Sequence, residues 1–170
     1  MYRRILVAVD GSAPSTRAFH EGLRLAGDQG AELRVIHVVD FGVLLASYAD
    51  ASLLDIGHLE ATLRSTGAAI VKATLADARG SRVAVDSALI ETDTGDVARA
   101  ILDEAARWGA DLIVLGTHGR GGLAHLLLGS VAEGVVHGSS LPVLLLRGRP
   151  AARHPEAGPT EGQNAGQGGV

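Results

Sequence analysis

Apolar residues along this chain keep two rhythms that alternate with one another. Unbroken runs stand at Ile5-Leu6-Val7-Ala8-Val9 and at Pro142-Val143-Leu144-Leu145-Leu146, and such runs without polar interruption predict strands buried on both faces. Three more runs lie between them, at Leu33 to Val39, Val83 to Ile90 and Asp111 to Gly116. In the intervening segments the spacing becomes helical. Ala18, Phe19, Gly22, Leu23 and Ala26 make one stripe, and Val97, Ala98, Ile101, Leu102, Ala105 and Trp108 another. A longer helical stretch covers 52–79, with Leu53, Ile56, Leu59, Leu63, Ile70 and Leu75 on its expected buried stripe. A last helix starts at Gly129-Ser130 and runs through Val131, Val135 and Val136 to Gly138. Between strand two and the long helix, Phe41 to Asp50 reads as an irregular loop with apolar members.

Capping residues support these boundaries. Ser12 with Pro14 suits the first turn of helix one, Thr94-Gly95-Asp96 suits the start of the helix ending at Trp108, and Gly27 and Gly109 stand where C-terminal stops belong. Strand and helix in strict alternation predict an α/β fold with a parallel sheet, because parallel neighbours need crossovers and the crossover helices cover both faces. Ligands of such sheets bind beyond the C-terminal strand ends, where the strand order reverses. From Gly148 onward the chain turns to Gly, Pro, Ala, Gln and Asn without apolar period. Residues 1–147 are therefore expected to fold as one domain, and 148–170 to form a disordered Gly/Pro-rich tail.

Composition then removes whole classes of function. With 170 residues, 46% of them hydrophobic, and a mean hydropathy of +0.22, the chain is able to bury a core. Its net charge of −4 leaves no broad basic field to hold nucleic acid or an anionic membrane. The absence of cysteine excludes disulfides, thiolate metal sites and cysteine nucleophiles together. Neither a signal-peptide core nor an apolar stretch near the roughly 20 residues of a membrane span is present, so a soluble, cytoplasmic protein is expected. Seven histidines raise a metal question. They stand at no recognised ligand spacing, His37 reads as a satisfied strand-end residue, and no protein-only metal site is expected.

The chemistry concentrates at Gly116-Thr117-His118-Gly119-Arg120-Gly121-Gly122-Leu123 and at Gly129-Ser130-Val131. Glycines at 116 and 119 would permit positive φ and a close backbone approach, while Gly129-Ser130 opens a helix whose free N–H groups favour an anion such as phosphate. Arg120 would add positive charge and the Ser130 hydroxyl a hydrogen bond. A glycine-rich turn that only reverses the chain is the alternative. Asp10, ending strand one, either accepts from a ribose hydroxyl or helps hold a divalent ion with phosphate oxygens, or else caps a strand-to-helix turn. Val38 either lines a slot for a base or fills the core. No Walker-type run exists, and Asp10-Gly11-Ser12-Ala13-Pro14-Ser15 lacks the three glycines of the dinucleotide fingerprint. Metalloprotease, hydrolase-elbow and kinase signatures are also missing.

These residues resemble the universal stress protein family. Its nucleotide pattern G-x2-G-x9-G-[ST] is met without a gap by Gly116, Gly119, Gly129 and Ser130. The opening Ile5-Leu6-Val7-Ala8-Val9-Asp10-Gly11-Ser12, the strand Val35-Ile36-His37-Val38 and the closing Pro142 to Leu146 are similar to the family too, so the resemblance covers about 1–147. It implies an open five-stranded parallel sheet of order 3-2-1-4-5, Rossmann-like, with helices on both faces, and a homodimer joined through Val143 to Leu146. In the ATP-binding branch, the positions of Asp10 and Val38 hold ribose and adenine. Those of Gly116, His118, Gly119, Gly129, Ser130 and Val131 hold ribose and phosphates, and Ala8, Thr117 and Arg120 complete the implied set. The chain departs from some members at Ala132, which lacks a hydroxyl after the Ser-Val pair.

The implied function is a regulatory stress-response dimer that binds ATP or AMP, with Mg²⁺ entering through the nucleotide and Asp10, and with a protein partner not specified. Two other classes remain: a slow ATP hydrolase, and an interaction module without nucleotide. Hydrolysis needs a positioned base or water-orienting group. Asp10 and His118 are the candidates, and neither has an evident orienting partner, so no catalytic residue is assigned and at most slow ATP hydrolysis is expected.

Overall fold

An unbroken apolar run that needs cover on both faces belongs in the middle of a sheet, and strand β1 (Arg4–Ala8) lies there, with Ile5, Leu6 and Val7 fully buried. The computed structural model describes residues 1–42, 56–117 and 128–147. Strand β2 (Glu32–Asp40) pairs with one side of β1, setting Ala8 opposite Ile36, and β4 (Leu112–Gly116) pairs with the other, setting Ala8 opposite Leu115. Outside them run β3 (Val85–Thr92), beside β2, and β5 (Val143–Leu146), beside β4. All pairs are parallel and the order is β3-β2-β1-β4-β5, the sheet expected from the resemblance.

Two helices cover each face. Helices α1 (Ala13–Gln29) and α2 (Ile56–Asp77) lie over a core of Ile5, Val7, Phe19, Leu33, Val35 and Val114. Helices α3 (Val97–Trp108) and α4 (Ser130–Gly138) lie over Leu6, Ile36, Ile101, Ile113, Leu115 and Val135. Alternation along each strand sends neighbouring side chains to opposite cores. The caps form as read: Ser12 Oγ accepts from Ser15 N above Pro14, Asp96 accepts from Arg99 N, and Gly109 closes α3 at φ 73°.

Several local expectations are corrected. Helix α1 runs through Gly27 and stops at Gly30, whose φ of 64° is the left-handed conformation that a helix end exploits. The run at Val143–Leu146 is an edge strand and only half-buried, since one neighbour covers it. Ile56, placed on the buried stripe of the long helix, is 49% exposed; the residues that bury are Gly67 and Val71, with Ile70 and Leu75 against the core. Gly67 is there because α2 comes close: a Cβ would lie 2.8 Å from His37 and 2.9 Å from Leu89. The loop at 43–50, Leu53 and the tail at 148–170 lie outside the described residues. Among those described, no helix is long and apolar enough to cross a membrane.

At the N-terminal edge of the sheet the charged groups interlock. The Asp111 carboxylate accepts from the Arg3 and Arg4 amides at 2.8 and 3.1 Å, and Arg4 donates to the Trp108 carbonyl at 3.0 Å. Arg4 and Arg34 each hold their guanidinium carbon 5.8 Å from the Trp108 ring centroid. Glu104, only 3% exposed, contacts Arg34 Nε at 2.9 Å without hydrogen-bond alignment and accepts from Arg107 Nε at 2.8 Å. Arg34 also reaches Asp86 at 2.7 Å, which ties β2 to β3.

Candidate functional site

At the opposite, C-terminal edge the strand order reverses between β1 and β4. The chain leaving β1 is held twice by β2: Val9 N donates to Ile36 O at 2.9 Å, and His37 Nδ1 lies 2.7 Å from Val9 O. Asp10 follows directly. Its Oδ1 accepts from the Ser12 amide at 3.0 Å and the Ser12 hydroxyl at 2.6 Å, while Asp10 N donates to Ser15 Oγ at 3.3 Å. Ser15 Oγ in turn donates to Ser12 O at 2.9 Å. Gly11, at φ 80°, supplies the backbone conformation that makes the turn possible, and a Cβ there would meet Ile70 of α2 at 3.4 Å.

The two readings of Asp10 thus divide between its oxygens. Oδ1 organises the turn, and Oδ2 has no partner among the described residues. The helix cap itself is Ser12, not Asp10.

From the other side of the switch, β4 ends on Gly116. A Cβ there would lie 2.8 Å from Pro14 Cβ and 3.0 Å from Ser15 N. Its φ is not positive. The expectation that this glycine supplies a left-handed turn is corrected: it lets the start of α1 pack onto the end of β4. Thr117, buried, donates its amide to Leu146 O at 2.8 Å and accepts from the Gly129 amide at 2.7 Å. One residue therefore joins the ends of β4 and β5 to the start of α4.

Gly129 is the N-cap of α4, at φ −76° and ψ 154°, with no side-chain cap. Any residue adopts those angles, and Ser, Asp or Asn would cap better. What glycine gains here is the missing side chain, which leaves the first N–H groups of α4 uncovered. Glu133 N already bonds Gly129 O, so the donors left over at the helix start belong to Ser130, Val131 and Ala132. Ser130 is exposed and Val131 half-buried, while Ala132 is 2% exposed in the core beside Val135. The missing hydroxyl at 132 therefore falls on a packed position. Glu133, exposed in the first turn, sets a negative charge against an anion at this helix end.

Ala8 and Val38 are both half-buried against the core under α3 and α4, with Val38 opposite Ile90. The fold thus brings Ala8, Asp10, Val38, Gly116, Thr117, Gly129, Ser130 and Val131 to one sheet edge; His118, Gly119 and Arg120 lie outside the described residues. Sequence reasoning missed Ser15 and the bond His37 makes to Val9. An Asp-x-Ser-x-x-Ser spacing was available for the first, but nothing local marks the second, which joins neighbouring strands. Among the described residues no three His, Cys, Asp or Glu side chains converge as a metal site.

The family model of the universal stress proteins matches residues 1–147. The chain belongs to the universal stress protein family. A universal stress protein of Methanocaldococcus jannaschii is 33% identical over 147 residues, which is 86% of this chain and 83% of that protein. A family structure from Burkholderia pseudomallei superposes with a TM-score of 0.68 at 30% identity, covering 85% of this chain and 96% of that one. A universal stress protein from Archaeoglobus fulgidus, solved in complex with dAMP, shares the fold at a TM-score of 0.58 and 21% identity, covering 85% and 98%. The universal stress protein fold here therefore carries the turn of Asp10 and the uncapped α4 start on the two sides of its strand switch.

Proposed function

We propose that this universal stress protein binds an adenine nucleotide, ATP or AMP, at the C-terminal edge of β1 and β4 and acts as a regulatory homodimer in a stress response. The observation that carries the reading is the pairing of unlike ends at one switch point: a carboxylate with an oxygen to spare on one side, and an uncapped helix start on the other. Asp10 Oδ2 suits ribose hydroxyls as an acceptor, and the amides of Ser130 and Val131 suit phosphate oxygens. Ala8 and Val38 offer apolar surface for a base. Thr117 ties the end of β4 to the start of α4, the close packing of Gly116 on Pro14 and Ser15 sets that side against the Asp10 turn, and His118, Gly119 and Arg120 complete the site by position in the motif. The dAMP complex of the Archaeoglobus relative supports an adenine ligand at the level of the fold.

Magnesium would enter with the phosphates, with Asp10 as the protein group nearest in kind. Among the described residues no three His, Asp or Glu side chains form a cage for it. Dimerisation is proposed through the half-buried edge β5, where a second copy would pair backbone groups left open by the sheet. Leu145→Lys should then give monomer by light scattering.

The nucleotide reading is tested by thermal unfolding with Mg-ATP and with AMP, beside Gly129→Val. A ligand at 100 times its Kd stabilises by about 2.7 kcal/mol. Valine adopts the angles at 129, so this variant should fold normally and lose the shift. No shift in the wild type up to millimolar nucleotide would leave an interaction module as the better reading, and phosphate release above about 1 per second would make it an enzyme.

A further inference from the structure

Away from the switch, a groove of about 370 Å³ runs between the C-terminal half of α2 and the outer edge of β3. Val71, Leu75, Ala76 and Leu89 line it, with Lys72 from α2 and Arg79 from the turn that follows α2. Arg4, Arg24, Arg34, Arg64, Arg99 and Arg107 all pair with carboxylates. Among the described residues Lys72, the chain's one lysine, and Arg79 have no acidic partner, nor have Arg3, Arg17, Arg82 and Arg147, and of these only Lys72 and Arg79 line the groove. Positive charge is therefore left uncompensated along an apolar slot.

The edge of β3 supplies the third element. Ala84 O and Thr92 O accept from Leu33 N and Phe41 N, so even-numbered residues bond inward to β2. Alternation in a parallel ladder turns the backbone groups of Ser87, Leu89 and Glu91 outward. Ser87 N is capped by its neighbour Asp86 at 2.7 Å, and no bond closes Leu89 or Glu91 on that side among the described residues. We infer that this groove docks an extended acidic peptide segment of a partner protein, which adds a strand beside Leu89, sets apolar side chains on Val71 and Leu75, and meets Lys72 and Arg79 with carboxylates. The acidic residues of this edge, Asp86 and Glu91, are each engaged by an arginine, Arg34 and Arg64, and so leave Lys72 and Arg79 to set the charge that an incoming segment meets.

The test is fluorescence anisotropy on the full chain with a labelled peptide of about ten residues alternating valine and glutamate, against its valine–lysine counterpart, with amide NMR shifts to locate binding. The acidic peptide should bind, perturb Leu89 and Val71, and lose about tenfold or more in affinity in Lys72→Glu/Arg79→Glu and on raising salt from 0.05 to about 0.5 M. Ala76→Trp, a plug at an exposed helical position, should block it while leaving the circular dichroism unchanged. Equal binding of the basic peptide, or unchanged affinity in the double variant, overturns the proposal. So does the absence of any peptide binding, whether the double variant then changes the mass of the free protein, pointing to a second copy, or its binding to phosphatidylserine vesicles, pointing to a membrane.

Discussion

The two edges of the sheet use the same kinds of residue to opposite ends. At the N-terminal edge Asp111 and Glu104 are met from several directions by amides and guanidinium groups, and two arginines flank Trp108. At the C-terminal edge Asp10 commits one oxygen to its own turn, and α4 begins without a side-chain cap. Both oxygens of Asp111 are taken by amides, and Glu104 is buried against Arg34, so neither is open to a ligand. A spare polar group that is not sealed in the core is what distinguishes a candidate site from a structural clamp.

The sharpest way to break the comparison is to cut the clamp. Glu104→Ala leaves Arg34 without its buried counter-charge, and should cost about 3 kcal/mol in urea unfolding while nucleotide affinity, measured on the protein that remains folded, stays the same. Next is Gly116→Ala, whose new methyl meets Pro14 and Ser15. It should destabilise by about 2 kcal/mol and also weaken nucleotide binding, since the same contact seats the Asp10 turn. Asp10→Asn keeps an acceptor for Ser12 but removes the charge. Stability should change by less than about 0.5 kcal/mol, while affinity for Mg-ATP in calorimetry falls about tenfold.

The smallest effect concerns acid. Arg64 grips Glu91 with two hydrogen bonds, at 2.8 and 3.0 Å, and that bonding holds the Glu91 carboxyl below the usual glutamate range. A carboxyl whose pKa is lower folded than unfolded adds stability above the unfolded value, and the gain disappears as pH falls through the folded one. Both groups are exposed, so solvent screens the gain. Removing it in Arg64→Met should lower stability slightly near neutrality in urea unfolding, and the difference from the wild type should vanish as pH falls through the folded pKa of Glu91.

Much of this was legible in the chain because it is local. Apolar runs at Ile5 and Ile113, the cap at Ser12 and the stop at Gly109 depend on neighbours within a few residues, and hydrophobic period and backbone sterics act at that range. The spacing from Gly116 to Ser130 likewise carried the family, and with it the strand order. Local pattern did less well where burial depends on company: β5 and Ile56 look as apolar as buried residues do, yet among the described residues no further element covers either.

By itself, then, the sequence determined the α/β alternation, the helix caps, the family and the pairing of a carboxylate with a helix start. Tertiary structure decided the rest. It assigned Gly116 to packing and Gly129 to an open helix end, it divided the two oxygens of Asp10, and it brought His37 onto Val9. It also left Lys72 and Arg79 beside an open strand edge. The physical reason is the same in each case: whether a polar group is satisfied, or a missing Cβ is filled, depends on atoms that only the closed sheet brings within about 3 Å.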